Sequence, residues 1–577
     1  APLESNSLTT YLNRTFQAMG LPWSKDLNGG KMRGFNIFPA TINYEEYVRE
    51  DAARAYYWPY ESRENLHVLL NTFANRVVWA EGTGSGPATA KGVEVTLKTG
   101  AISTIGATKE VIVSAGALKT PAILELSGIG NPDILHKHNI SVKVDLPTVG
   151  ENLQDQTNSH MDASSNRTLS GGKPVSYPNI YDILGDEAET VGNKLRANLK
   201  KYAEESAKAN GNVMKAADLE RLFEVQYDLI FKKNTPVAEI LNYAADKTLS
   251  TEFWSLLPFA RGNVHIASAN PKQFPTINPN YFMFEWDVES FAAVGQYIRR
   301  SYETKPLSTL VKEATPGLKN VPQDASVEQW KEWVFDGNYR SNFHPVGTAA
   351  MMPRAMGGVV DNRLKVYGTS NVRVVDASAL PYQVCGHLVS TLYAVAERAA
   401  ELIKADAAAV GTSSSSSGTS YDYIVIGGGT SGLTVANRLS EDPNVNVLII
   451  EAGDSVLNNP NVTTVDGYGL AFGTEIDWQY QSVNQTYAGN VPQVLRAGKA
   501  LAGTSAINGM AYTRAEDVQI DAWETIGNEG WTWKNLFPYY LKSENFTKPT
   551  KTQLELGASY NLEYNGENGP LNVAFTK

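Results

Sequence analysis

The sequence predicts an α/β protein: a Rossmann-like, dinucleotide-binding domain joined to a more irregular α+β domain. Three observations predict it. Short apolar strands alternate with amphipathic helices, a glycine-rich turn links one such strand to one such helix, and 577 residues exceed the needs of one small core. Along the chain, 93–97 and 110–114 are rich in β-branched residues and read as strands, and 118–126 as a helix. The stretch from about 180 to 250 reads as long, charged and helical, with few glycines before Thr235 and Pro236. Residues 372–375 read as a strand and 388–404 as an amphipathic helix. Residues 411–420, GTSSSSSGTS, cannot bury apolar surface and read as flexible coil with a reach of roughly 17 Å. A strand at 421–426, a helix at 430–440 and a strand at 445–450 follow.

Composition narrows the function. Hydrophobic residues make up 42% and charged residues 19%, a globular balance. Fifty basic against 61 acidic side chains give a net charge of −11 with no basic block, which argues against nucleic acid as a partner. No apolar run reaches membrane-spanning length, so no membrane partner is expected. Cys385 is the only cysteine, which excludes an intramolecular disulfide and a cysteine-based metal site; no metal is expected. Sequons begin at Asn13, Asn139, Asn166, Asn461, Asn484 and Asn545, and we read a secreted glycoprotein whose leader is absent from this chain.

The glycine turn carries the first chemistry. Gly427, Gly429 and Gly432 form a G-x-G-x-x-G that follows a strand and opens a helix at Thr430 and Ser431. The first glycine permits the tight turn, the second lets a pyrophosphate approach the backbone, and the third lets helix pack on strand. The pyrophosphate meets free N–H groups and the positive end of the helix dipole. Glu451, 24 positions after Gly427, suits a ribose diol and disfavours a 2′-phosphate.

Two more motifs complete the pattern: RAGKALAGTSAIN from Arg496 to Asn508, and GALKTPAILELSGIG from Gly116 to Gly130. With these the chain resembles the glucose–methanol–choline (GMC) flavoprotein oxidoreductases over nearly its whole length. The NYRSNFHPVG segment ending at Gly347, with QVCGHLV at 383–389, is most similar to fungal FAD-dependent glucose dehydrogenases, then to glucose oxidases. The resemblance implies non-covalent FAD, held by Gly427, Gly429, Thr430, Ser431, Gly432, Glu451, Arg496, Gly498, Gly503, Ser505, Asn508, Val78, Asp376 and Ala377. It implies that Arg340, Asn342, Glu252 and Tyr468 bind glucose. Of the seven histidines, His344 becomes the general base and His387 its partner, a role that suits an imidazole whose ordinary pKa is ~6.5. His136 and His138 read as solvated, and His67, His160 and His265 as structural.

The expected reaction is oxidation of the C1 hydroxyl of glucose, with electrons passed to a quinone or dye. Alternatives are an oxidase releasing hydrogen peroxide, a silent flavoprotein scaffold, and, disfavoured by both signatures, an NAD-dependent dehydrogenase. The family's order is inverted here, since its dinucleotide motif normally opens the chain. Circular permutation is the expectation, with 411–420 joining former termini. The FAD-binding domain then comprises 421–515, 61–155 and 346–410, the substrate domain 156–345, and the lid and connecting region 516–577 with 1–60. Ala502 and Ala506 depart from the first signature, and a methyl group at 502 implies φ < 0 there.

Overall fold

The computed structural model of the chain describes residues 7–81, 86–317, 319–322, 324–410 and 420–577. Of the Ser-rich joint, 411–419 lie outside the described residues, and Ser420 already belongs to a strand. That strand, Ser420–Ile426, is buried from Tyr423 onward, as a parallel strand covered on both faces must be. It pairs in parallel with Val447–Ile450 on one side and Ile102–Val113 on the other. Leu66–Leu69 extends the sheet, Val372–Val374 runs parallel to Ile102–Val113, and Ala90–Thr96 with Phe73–Trp79 add antiparallel strands. Helix Thr430–Leu439 packs against the long helix Leu388–Val410. Arg373, fully buried, ties that helix to the sheet by binding Glu110 (2.6 and 2.9 Å) and Asp406 (2.6 Å).

The second sheet runs Gly34–Ile37, Pro174–Tyr177, Ala238–Ala245, Thr248–Ser255, Thr157–Ser165, Val311–Thr315, with Arg340–Ser341 also on Thr157–Ser165. All its pairings are antiparallel. The segment expected as lid and connector therefore gives one strand, Gly34–Ile37, to the substrate domain's sheet. The expectation of helix to about 250 is corrected. Helices Ala188–Ala209 and Ala216–Phe231 end well before that point, and Ala238–Ala245 with Thr248–Ser255 form a hairpin. Its turn is possible because Asp246 accepts φ +53, and Leu249, Thr251 and Phe253 are buried at the period of two that a strand requires. Among the described residues no helix is long and apolar enough to cross a membrane.

Candidate active site

A cavity of about 590 Å³ is lined both by the turn at 427–431 and by His344 and His387. Gly427 has φ +106, and a Cβ there would lie 2.4 Å from the Ser114 carbonyl oxygen. A Cβ on Gly432 would lie 2.0 Å from Gly427 O, so this glycine seats the helix on the turn rather than lining the cavity. Gly429 and Gly503 face each other, where a Cβ on Gly503 would meet Gly429 Cα at 2.7 Å. Thr430 and Ser431 open the helix and line the cavity. Glu451 directly follows the neighbouring strand Val447–Ile450 and accepts from Gly428 N (2.8 Å) and Gly453 N (2.7 Å). Burial pushes its pKa up to about 7 against the pull of those N–H groups.

Arg496, Gly498, Gly503, Ser505, Asn508, Asp376 and Ala377 also line the cavity. Arg496 pairs with Asp477 and lies 4.6 Å over the Phe472 ring. The Ser505 hydroxyl is already engaged, donating to Ala502 O (2.7 Å) and accepting from Ala52 N (2.9 Å). Asn508 Oδ1 accepts from buried Arg49 (2.6 Å) and from Met510 N (3.0 Å), which leaves its NH₂ as the group for a ligand. Asp376 accepts from Gly116 N (2.8 Å), Thr120 Oγ1 (2.5 Å) and Ser378 N (2.8 Å), so it braces the second signature. A glycine cradle, a helix N-terminus, a buried acid and an oriented amide on one cavity fit a dinucleotide whose ring system reaches the histidines.

Two expectations are corrected. Val78 lies outside the cavity wall; Thr72, Phe73 and Ala74, at the start of the same strand, line it instead. Ala502 does not take φ < 0 but φ +108, in the turn that starts the 3₁₀ segment Gly503–Ala506. An alanine held there costs about 1–2 kcal/mol. Ala502→Gly is therefore expected to stabilise the protein by about 1 kcal/mol in denaturant unfolding, after the glycine's extra unfolded-state freedom is subtracted.

At the other end, Arg340–Ser341 pairs with Thr157 and Asn158, and the chain then turns sharply through Asn342 and Phe343 into His344. Asn342, His344, His387, Glu252 and Tyr468 line the cavity; Arg340 does not. Its guanidinium donates to Glu252 Oε2 (2.9 Å) and to Ser341 O (3.0 Å) and lies 5.1 Å over the Phe343 ring. Tyr468 stands at the mouth, 42% exposed, edge-on to Phe472.

The histidine rings lie 5.4 Å apart at 89°. Gln156 directs its amide nitrogen to the carbonyls of Leu256 (3.3 Å) and Val384 (3.5 Å), so its oxygen is an acceptor. His344 Nδ1, 2.8 Å from that oxygen, donates to it, and Asn342 Nδ2 donates to it at 3.3 Å. Nε2 of His344 is then the unprotonated nitrogen. Burial, then electrostatic interaction with His387 and Arg340, holds the His344 pKa well below its ordinary value. His387 Nε2 lies 2.9 Å from Glu239, a fully buried carboxylate.

Glu239, Gln156 and Asn158 escape the sequence reading. Asn158 Nδ2 joins Asn342 Oδ1 (3.0 Å) to Glu252 Oε2 (3.4 Å), linking the expected sugar-binding residues. Glu239 had a signal, a lone acid within the apolar run PVAEIL. The two amides had none. Among the remaining histidines, His67, His136 and His160 are exposed and His138 is half-buried, while His265 is held between Glu125 (2.7 Å) and Glu151 (3.0 Å).

Fold and site together define a dinucleotide-binding α/β protein whose cavity ends at a pair of histidines. The GMC oxidoreductase profiles match residues 2–158 and 421–576 (amino-terminal part) and 258–396 (carboxy-terminal part). The chain belongs to the GMC oxidoreductase family and is a GMC flavoprotein oxidoreductase. It is 42% identical to the glucose oxidase-like protein fsoC of Humicola fuscoatra over 70% of this chain and 68% of that one. It is 35% identical to glucose oxidase of Penicillium chrysogenum over 68% of this chain and 64% of that one, so the match spans about two thirds of these relatives' length. Among solved structures it resembles a fungal aryl-alcohol oxidase (TM-score 0.61, 26% identity, 68% of this chain and 70% of that one). An FAD-dependent oxidoreductase from Chaetomium thermophilum is similar to the same degree (TM-score 0.60, 26% identity, 68% and 71%).

Proposed function

We propose that the protein oxidises the C1 hydroxyl of D-glucose to glucono-1,5-lactone and passes the electrons to a quinone or dye. The observation that carries this reading is the polar network of Glu252, Asn158, Asn342 and Arg340, whose Asn342 stands 3.0 Å from the His344 ring on the cavity wall. Non-covalently bound FAD supplies the hydride acceptor. Glu252 and Asn342 orient the sugar hydroxyls, joined by the N–H groups of Arg340 that Glu252 and Ser341 leave unengaged. His344 Nε2 takes the hydroxyl proton, and the Gln156 bond keeps Nδ1 as the protonated side throughout. His387, anchored by Glu239, steadies the same hydroxyl from the second direction. Tyr468 screens the mouth from water.

A second reading, glucose oxidase, is favoured by the names of the relatives. Parallel assays of dye reduction and peroxide release with glucose, xylose and maltose separate the two. We expect glucose-dependent dye reduction well above peroxide release; peroxide at the full rate of turnover would make the protein an oxidase, and no turnover with any sugar would make it a silent flavoprotein. The same proposal includes circular permutation, supported by an amino-terminal match split around the carboxy-terminal one, with strands from both pieces in one sheet. It also includes secretion and glycan attachment, for which Asn139, Asn166 and Asn484 are exposed.

A further inference from the structure

The turn that carries Asn342 and His344 is strained and pinned from behind. Phe343, a bulky residue, has φ +61, a conformation that persists only where the surroundings over-determine it. Each backbone N–H of the turn has a defined acceptor. Asn342 N donates to Gln156 O (2.8 Å), Phe343 N to Ser341 Oγ (2.9 Å) and His344 N to Asp155 Oδ1 (2.9 Å). Ser341 Oγ in turn donates to Asp155 Oδ2 (2.5 Å), which also accepts from the Tyr281 hydroxyl. Asp155 Oδ1 further accepts from Gln156 N (2.9 Å). This carboxylate is 4% exposed, has no cationic partner among the described residues, and does not line the cavity.

An uncompensated buried carboxylate is costly, and here four donors satisfy it. Two of the four belong to the turn: the His344 N–H directly, and the Ser341 hydroxyl that caps Phe343 N. We propose that Asp155 is the positioning residue of the reaction, locking the strained Ser341–His344 turn so that His344 meets Gln156 and keeps Nε2 free toward the substrate. Asp155 touches neither substrate nor cofactor; it acts through His344, and so rests on the reading of His344 as the base. Loss of the lock lets Phe343 relax to negative φ and swings the imidazole off Gln156. A displacement of about 1 Å at a reacting group costs about 100-fold in turnover.

The test uses the flavin-loaded enzyme and three variants, Asp155→Ala, Ser341→Ala and Asp155→Asn, with kcat, flavin content and the NMR titration of the His344 ring. Asp155→Ala is expected to lose about 100-fold in kcat and Ser341→Ala about tenfold, at unchanged flavin per protein. The His344 titration should move up toward the ordinary histidine value in both. Asp155→Asn should return kcat to within about tenfold of the parent, because its Oδ1 still accepts the two N–H groups and both hydroxyls can reverse to accept from its NH₂. Should Asp155→Ala fail to fold, Ser341→Ala, which removes one oxygen, still decides. Unchanged kcat and an unmoved His344 titration would overturn the proposal, as would activity lost only in proportion to flavin. The titration needs no substrate, so a failure of the glucose reading leaves it decisive.

Discussion

His344→Ala is expected to bind flavin as the parent does and to lose 10²–10⁴-fold in kcat/KM, about the worth of a positioned general base. The side chain lines the cavity, but its own hydrogen bond runs to Gln156 and not to the glycine turn or Glu451. Removing it deletes the proton acceptor and leaves the cradle intact. The pH profile gives a second readout. A general base works above its pKa, and His344 is held well below 6.5 by burial and by electrostatic interaction with His387 and Arg340. In the parent, kcat/KM therefore stays on its plateau as pH falls through 6.5 and drops only below it. Visible spectra and initial rates across pH check both. A colourless variant, or a yellow one with parental turnover, would remove His344 from the role.

The second large effect concerns stability. His265→Ala is expected to cost about 3–5 kcal/mol near pH 6, the usual loss when one partner of a buried ionic cluster is removed. Burial opposes a charge on His265, yet its hydrogen bonds to Glu125 and Glu151 raise its pKa to about 10. Glu125 lies on Thr120–Leu126 in the second signature and also accepts from Ile266 N (2.8 Å), so the cluster clamps that helix to Asn263–His265. The sign follows from linkage. A folded pKa above the unfolded ~6.5 gives stability that is complete below pH 6.5 and is lost as pH rises through about 10. Denaturant unfolding of parent and variant at pH 6, 8 and 10 should show curves that converge upward in pH. Curves separated equally at all three values would mean that His265 packs but carries no charge.

Much of this was legible in the chain itself. The strand, G-x-G-x-x-G, helix, strand and acid from 421 to 451 specify their own geometry through local spacing, and they fold as that spacing dictates. The histidines lie in recognisable motifs, and they come together. What the sequence withheld depends on contacts between distant segments. Gln156 and Asp155 gain their meaning only because Arg340–Ser341 pairs with Thr157 and Asn158, a register that no local pattern announces. Arg340, Asn342 and Glu252 were readable as polar partners, but the pairing of Arg340 with Glu252 was not. Val78 came from the resemblance alone, and the cavity meets its strand at 73–74, near its start. The positive φ of Ala502 was hidden because alanine ordinarily avoids it, and the hairpin after Val237 was hidden by the charged helices before it.

The central claim, a flavin-loaded cavity that oxidises a sugar through His344, is tested most directly by one spectrum. The purified protein is recorded anaerobically before and after glucose, and air is then admitted. The account predicts a yellow protein whose flavin band bleaches with glucose and recovers slowly in air but at once with a quinone or dye. A flavin band that glucose never bleaches would contradict it.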